Sequence, residues 1–149
     1  MKLIYPACVY KDEENGSYEV EIPDIPGCSA EADTLADAIM RGIDAASDKV
    51  LDALEDGGPI PKASSLESIH PGDGGFVNLL MLDMNAYAEK SGRSTTRHIQ
   101  IPTWLFNFAE QNSVDPDLVL RESLTAVYEK QMGRDDAQTR GNLLELARR

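Results

Sequence analysis

The sequence predicts an α+β chain in two domains: a β-β-α-β domain over residues 1–92, a β-α-α domain over 93–132, and a tail over 133–149. Three observations predict it. Apolar residues recur with period two near each domain start and with helical period after it. A polar stretch, Asn85 to Ser94, separates the two patterns. The charge divides at the same place: residues 1–92 carry six Lys/Arg against eighteen Asp/Glu, and residues 93–149 carry eight of each. At 149 residues and 42% hydrophobic, the chain has material for a core without disulfides or a structural metal.

Leu3, Tyr5, Ala7 and Val9 share one parity and predict the first strand. Asp12 to Gly16 supplies a turn, and Tyr18, Val20 and Ile22 alternate with Glu19 and Glu21, giving a hairpin with one wet face. Pro23-Asp24-Ile25-Pro26-Gly27 interrupts regular structure, because each proline lacks a donor and Gly27 permits positive φ. Thr34 followed by Asp37 opens a helix in the manner of a capping box, with Leu35, Ile39, Ile43, Ala46, Val50 and Leu54 as its apolar stripe. Gly57-Gly58-Pro59 ends it. A connector rich in Pro, Ser and Gly leads to Phe76–Met84, a nearly continuous apolar run that reads as a well-buried strand joining the hairpin.

Beyond the break, Thr95 to Ile101 alternates again: Arg97, Ile99 and Ile101 lie on one parity and Thr96, His98 and Gln100 on the other. Pro102 starts a helix at its first-turn position, with Trp104, Leu105, Phe108 and Ala109 apolar. Asp115-Pro116 caps a second helix carrying Val119, Leu120, Leu124 and Val127. A lone strand leaves its backbone groups unpaired, so a partner chain is the simplest remedy. Leu143, Leu144 and Leu146 place a final short helix in the tail.

Composition and motifs exclude several functions. Leu3 to Tyr10 holds no carboxylate, and Glu19 and Glu21 face solvent, so a catalytic metal cluster has no core strand to sit on. Cys8 and Cys28 read as buried structural thiols, because the histidines, His70 and His98, fall in the connector and the second domain. Gly72-Asp73-Gly74-Gly75 lacks the lysine and the strand-turn-helix context of a phosphate-binding loop. The longest apolar run is far short of the roughly 20 residues that span a bilayer. No cofactor, metal or membrane association is expected, and the cysteine usage points to a cytoplasmic setting. An acidic first domain repels nucleic acid and attracts basic partners. The neutral second domain, without an acid from Ser91 to Ala109, presents Arg93, Arg97 and His98 to a duplex if two such strands pair as a ribbon in the major groove.

Tyr18 and Ile22-Pro23-Asp24-Ile25-Pro26-Gly27-Cys28, followed by Asp33-Thr34 and Ala38, resemble the HicB antitoxin family, with Ile22 where an aromatic is frequent and Asp37 where glutamate is frequent. Gly74-Gly75-Phe76-Val77, the strand ending in Asp83, and Ile99-Gln100-Ile101-Pro102-Thr103-Trp104-Leu105 resemble the longer branch of that family. The resemblance covers about residues 1–131. It implies a partial ribonuclease H-like domain without catalytic acids, which blocks a small basic HicA messenger-RNA interferase, and a ribbon-helix-helix module that dimerises and represses the chain's own operon.

On this reading Asp24, Ile25, Pro26, Glu31 and Asp33 meet the toxin. Ile99, Ile101, Leu105, Leu120 and Leu124 form the two-fold dimer core. Thr96, His98 and Gln100 read operator DNA, with Arg93 and Arg97 on phosphates. Asp115 and Asp117 depart from the phosphate-binding helix start common in such modules. The runner-up is a DNA-binding repressor with a ligand-sensing first domain and no toxin. An RNA hydrolase is a third reading, and the acid-free first strand argues against it.

Overall fold

The computed structural model describes residues 1–147, and side chains as far as Gly133. It divides into two compact units, Met1–Ser94 and Thr95–Arg149.

The first unit is mixed α+β. Strands β1 (Lys2–Lys11), β2 (Tyr18–Glu21), β3 (Ser29–Ala32) and β4 (Phe76–Asp83) form one antiparallel sheet in the order β3-β2-β1-β4. The central β1 pairs along most of its length with β4, Tyr5 opposite Leu80 and Leu3 opposite Leu82, and at its far end with β2, Val9 opposite Val20. The sequence reading lacks β3, because Ser-Ala-Glu-Ala has no β-branched or aromatic residue to announce a strand. Pairing with β2 defines it instead.

Helix α1 (Leu35–Glu55) starts as expected: Thr34 accepts from the Asp37 backbone N–H at 3.1 Å and its hydroxyl reaches the Asp37 carboxylate at 2.8 Å. It ends in a Schellman arrangement, Gly58 N–H to Ala53 O and Gly57 N–H to Leu54 O, with Gly57 at φ 71°. Its buried face differs from the expected stripe. Ala38, Gly42, Ala46, Ser47, Val50 and Leu51 are buried, while Leu35, Ile39, Ile43 and Leu54 pack around them half-buried. Small residues go inward because the helix lies close to the sheet: a Cβ on Gly42 would stand 3.0 Å from Val20 Cγ1 and 3.6 Å from Leu80 Cδ1.

One sheet face is thereby covered, with Tyr5, Ala7, Val9, Val20, Leu80 and Leu82 in the core. No helix of this unit packs on the other face, where Pro6 and Cys8 are nonetheless buried. β4 is consequently an edge strand open on one side rather than the well-buried strand its apolar run predicts: Leu80 and Leu82 are buried, whereas Leu79 and Met81 are exposed. Its end, Asp83, caps helix α2 (Met84–Ser91) by accepting from the Ala86 N–H.

In the second unit, Thr95–Ile101 carries no strand. Every residue in it is exposed, as a segment without a neighbouring strand must be to satisfy its backbone with water. Helix α3 (Thr103–Gln111) follows, with Pro102 one position earlier than expected, as the N-cap residue. Helix α4 (Pro116–Ala147) has Asp115 as its cap, accepting from the Asp117 N–H at 3.0 Å. It runs on through most of the residues expected to form a separate tail helix. The side chains of Leu143, Leu144 and Leu146 lie outside the described residues.

Between α3 and α4, Ser113 occupies φ 53°, with Ser113 N–H to Glu110 O and Val114 N–H to Ala109 O closing the α3 end. That position ordinarily takes glycine or asparagine. Ser113→Gly is expected to stabilise the second unit by about 1 kcal/mol, relieving the left-handed conformation at some cost in chain entropy. Thermal or urea unfolding measures it.

Candidate functional site: an acidic loop, an open sheet face and an uncovered helical pair

The loop between β2 and β3 is built from two consecutive turns. Ile25 N–H donates to Ile22 O, Cys28 N–H donates to Ile25 O, and Ile22 N–H donates to Cys28 O, closing the loop at its neck. Pro26 and Gly27, with φ 65° at Gly27, take the central positions of the second turn, the pairing such a turn favours. The turns drive Ile22, Ile25 and Cys28 into the core and leave Pro23 and Pro26 outside.

Ile25, expected to meet a partner, is instead buried at 2% exposure, so it anchors the loop. Asp24 accepts from the Ser64 backbone N–H at 2.8 Å and its hydroxyl at 2.5 Å, tying the connector to the loop. Glu31 accepts from the Ser17 hydroxyl at 2.7 Å, and its carbonyl accepts from Arg41 at 2.9 Å. Pro26, Glu31 and Asp33 are exposed. A cleft of about 220 Å³ beside the loop is lined by Glu19, Glu21, Pro23, Cys28 and Ser29, among others.

Sequence reasoning missed a ladder of acids. In the β1-β2-β3 register, Glu19 faces Glu31 directly, and Glu21 lies on the same face. Like charges opposite one another destabilise a sheet, so this pair is a local cost with no compensation within the strands. The signal was present in the alternation of β2, but without β3 its partner was hidden.

The two thiols are free and buried. Burial pushes the Cys28 thiol up, only partly offset by Lys49, the reverse of what a nucleophile needs. Among the described residues no group of His, Cys, Asp and Glu is arranged to hold a metal ion, and no helix is long and apolar enough to cross a membrane.

Arg93, expected on DNA phosphate, is engaged at the end of α1. Its backbone N–H donates to Glu55 at 2.6 Å, its guanidinium pairs with the same carboxylate, and a second arm lies 3.5 Å from Asp56. The backbone and side-chain hydrogen bonds from Arg93 hold the Glu55 carboxyl below its ordinary value. Thr96, Arg97, His98 and Gln100 are all exposed.

The described side chains of the second unit form no core. Among its described side chains only Ala109 is buried, whereas Ile99 is 59% exposed, Leu105 41%, Leu120 39% and Leu124 61%. Trp104, Phe106, Phe108, Leu118 and Val127 are exposed as well, and of these Phe106 and Leu118 lay outside the expected stripes.

Residues 5–110 match the family described as HicB_like antitoxin of bacterial toxin-antitoxin system. The chain belongs to the HicB-like antitoxins. A curated relative of this HicB-like chain, an uncharacterized 14.9 kDa protein in the rep-hol intergenic region of Haemophilus phage HP1, is 37% identical over 65 residues, 44% of this chain and 47% of its own length. The chain thus spans about half the length of that relative. Among solved structures, a chain of a toxin-antitoxin complex from Streptococcus pneumoniae aligns with TM-score 0.56 at 20% identity, covering 84% of this chain and 98% of that one. The Burkholderia pseudomallei antitoxin HicB aligns with TM-score 0.50 at 21% identity, covering 81% and 95%. These two likenesses show that the mixed α+β architecture is a HicB-like fold.

Proposed function

We propose that this chain is the non-catalytic antitoxin of a two-protein system: its acidic first unit, on a partial ribonuclease H-like plan, binds and occludes a HicA-type messenger-RNA interferase, and its second unit joins two chains. The observation that carries the reading is the first unit's surface. A sheet whose outer face carries Glu19, Glu21 and Glu31, with a rigid loop beside it, offers acids to a basic partner, and among the described residues none of these acids belongs to a group that could hold a metal ion. Co-expression with the HicA-type toxin of the same operon tests it. Growth is restored by the wild-type chain, and continued arrest in the presence of folded chain contradicts the reading.

The second unit's uncovered side chains support the other half. Two copies of segment 95–101, paired as an antiparallel ribbon, satisfy each other's backbone, and Ile99 and Ile101 then face the helices while Thr96, His98 and Gln100 face outward. This is the ribbon-helix-helix arrangement, with residues 93–132 as its domain and operator DNA as its ligand. Gln100→Ala is expected to lose roughly 1–3 kcal/mol of discrimination at one base pair. Arg97→Ala should lower the salt slope of binding by about one while leaving sequence preference intact. Titration of upstream DNA at several salt concentrations measures both. Arg93 contributes less than its position implies, because Glu55 and Asp56 already hold it.

A further inference from the structure

The face of the first unit's sheet opposite α1 has an apolar strip that the fold leaves exposed. Ile4, Leu79 and Met81 are 52%, 48% and 57% exposed. They are contiguous, since Ile4 stands opposite Met81 and Pro6 opposite Leu79 in the β1–β4 register. Side chains so paired lie about 4.5–5.5 Å apart at Cβ. A half-solvated antiparallel sheet ordinarily presents polar residues on its wet side. β4 does not: Leu80 and Leu82 point to the core while Leu79 and Met81 point away from it. Pro6 and Cys8 of the same face are buried, so the accessible strip is confined to the Ile4 end of β1 and to β4. Contiguous exposed apolar surface of this kind marks an interaction site.

Charge decides what covers it. The same face carries Glu19, Glu21, Glu31 and Asp83, and one cation, Lys2, which stands opposite Asp83. A second copy laid face to face would bring at least three carboxylates from each copy together with only Lys2, already opposite Asp83, to meet them, at the cost of desolvating unpaired charge. A basic protein with an apolar centre and a rim of Lys and Arg meets both halves, in the arrangement of core and rim common to specific interfaces.

We propose that the Ile4–Leu79–Met81 strip is the docking centre for the basic toxin, with Glu19, Glu21 and Glu31 receiving its rim cations. This rests on the antitoxin reading and names the face that serves it.

The test uses the full chain and the HicA-type toxin of its own operon, with Leu79→Arg, Met81→Arg and, on the opposing strand, Ile4→Arg as separate variants and Met81→Leu as the conservative control. Because these positions are exposed, circular dichroism and melting should stay as wild type in at least one Arg variant. In each folded Arg variant the Kd should rise at least about 30-fold, as at a central contact. The loss should lie mainly in the dissociation rate and persist at low and high salt, and Met81→Leu should bind as wild type. Unchanged toxin affinity in the folded Arg variants overturns the proposal. So does a change in the free chain's sedimenting mass without loss of toxin binding, which would assign the strip to a second copy. A wild-type chain that binds no toxin overturns the antitoxin reading itself, and is told apart because the control fails too.

Discussion

A Leu124→Ala chain is expected to sediment as a monomer at concentrations where the wild-type chain is a dimer. Leu124 is 61% exposed and Leu105 41% exposed in the single chain, and only Ala109 is buried among the described side chains of their unit. A folded helical pair with that much uncovered apolar surface gains stability by covering it, at roughly 25 cal/mol per Å² removed from water. Truncating one interface leucine costs about 2–5 kcal/mol. A two-fold axis counts the change twice, so dimerisation weakens by roughly 4 kcal/mol or more, about a thousandfold in Kd. Leu105→Ala should act in the same direction, and analytical ultracentrifugation over a range of concentrations measures both. On the proposed ribbon pairing of segment 95–101, these variants should also lose operator binding.

The second large effect is kinetic. Reversing Glu31 and Asp33 together to lysine is expected to slow toxin association by about 10- to 100-fold at low salt, and by much less at high salt, because steering by summed charge acts on the encounter and is screened. Both residues are exposed, and Glu31 gives up only its bond from Ser17, its carbonyl bond from Arg41 being a backbone one. Asp24 is left unchanged in this variant because its carboxylate holds Ser64, and reversing it would release the connector as well as the charge. Stopped-flow binding at two salt concentrations separates the steering effect from any loss of fold.

Much of the first unit was legible because local signals and tertiary demands agree there. The alternation of Tyr18, Val20 and Ile22 and the Thr34 cap appear in the structure as a paired strand and a capped helix. Where the sequence misleads, a non-local cause can be named. Ser29–Ala32 is a strand by pairing alone. The Phe76–Met84 run reads as buried on both faces, yet α1 covers one face only, so its outward residues become surface. Ile25 sits in a polar, turn-rich phrase and is nonetheless core, because two consecutive turns fold it inward. Arg93 shows the same limit for the site: its sequence neighbours are polar and uncharged, and the acids that hold it, Glu55 and Asp56, are remote along the chain. The alternation in 95–101 forms no strand in the chain, because no neighbouring strand pairs with it.

Inhibition of the toxin by this chain is the most direct test of the proposed antitoxin role. With purified HicA-type toxin and a labelled RNA, stoichiometric addition of the full-length wild-type chain is predicted to abolish cleavage, with the end point at one first unit per toxin and no turnover of RNA by the chain alone. Cleavage that continues at the uninhibited rate in excess of folded chain would contradict it.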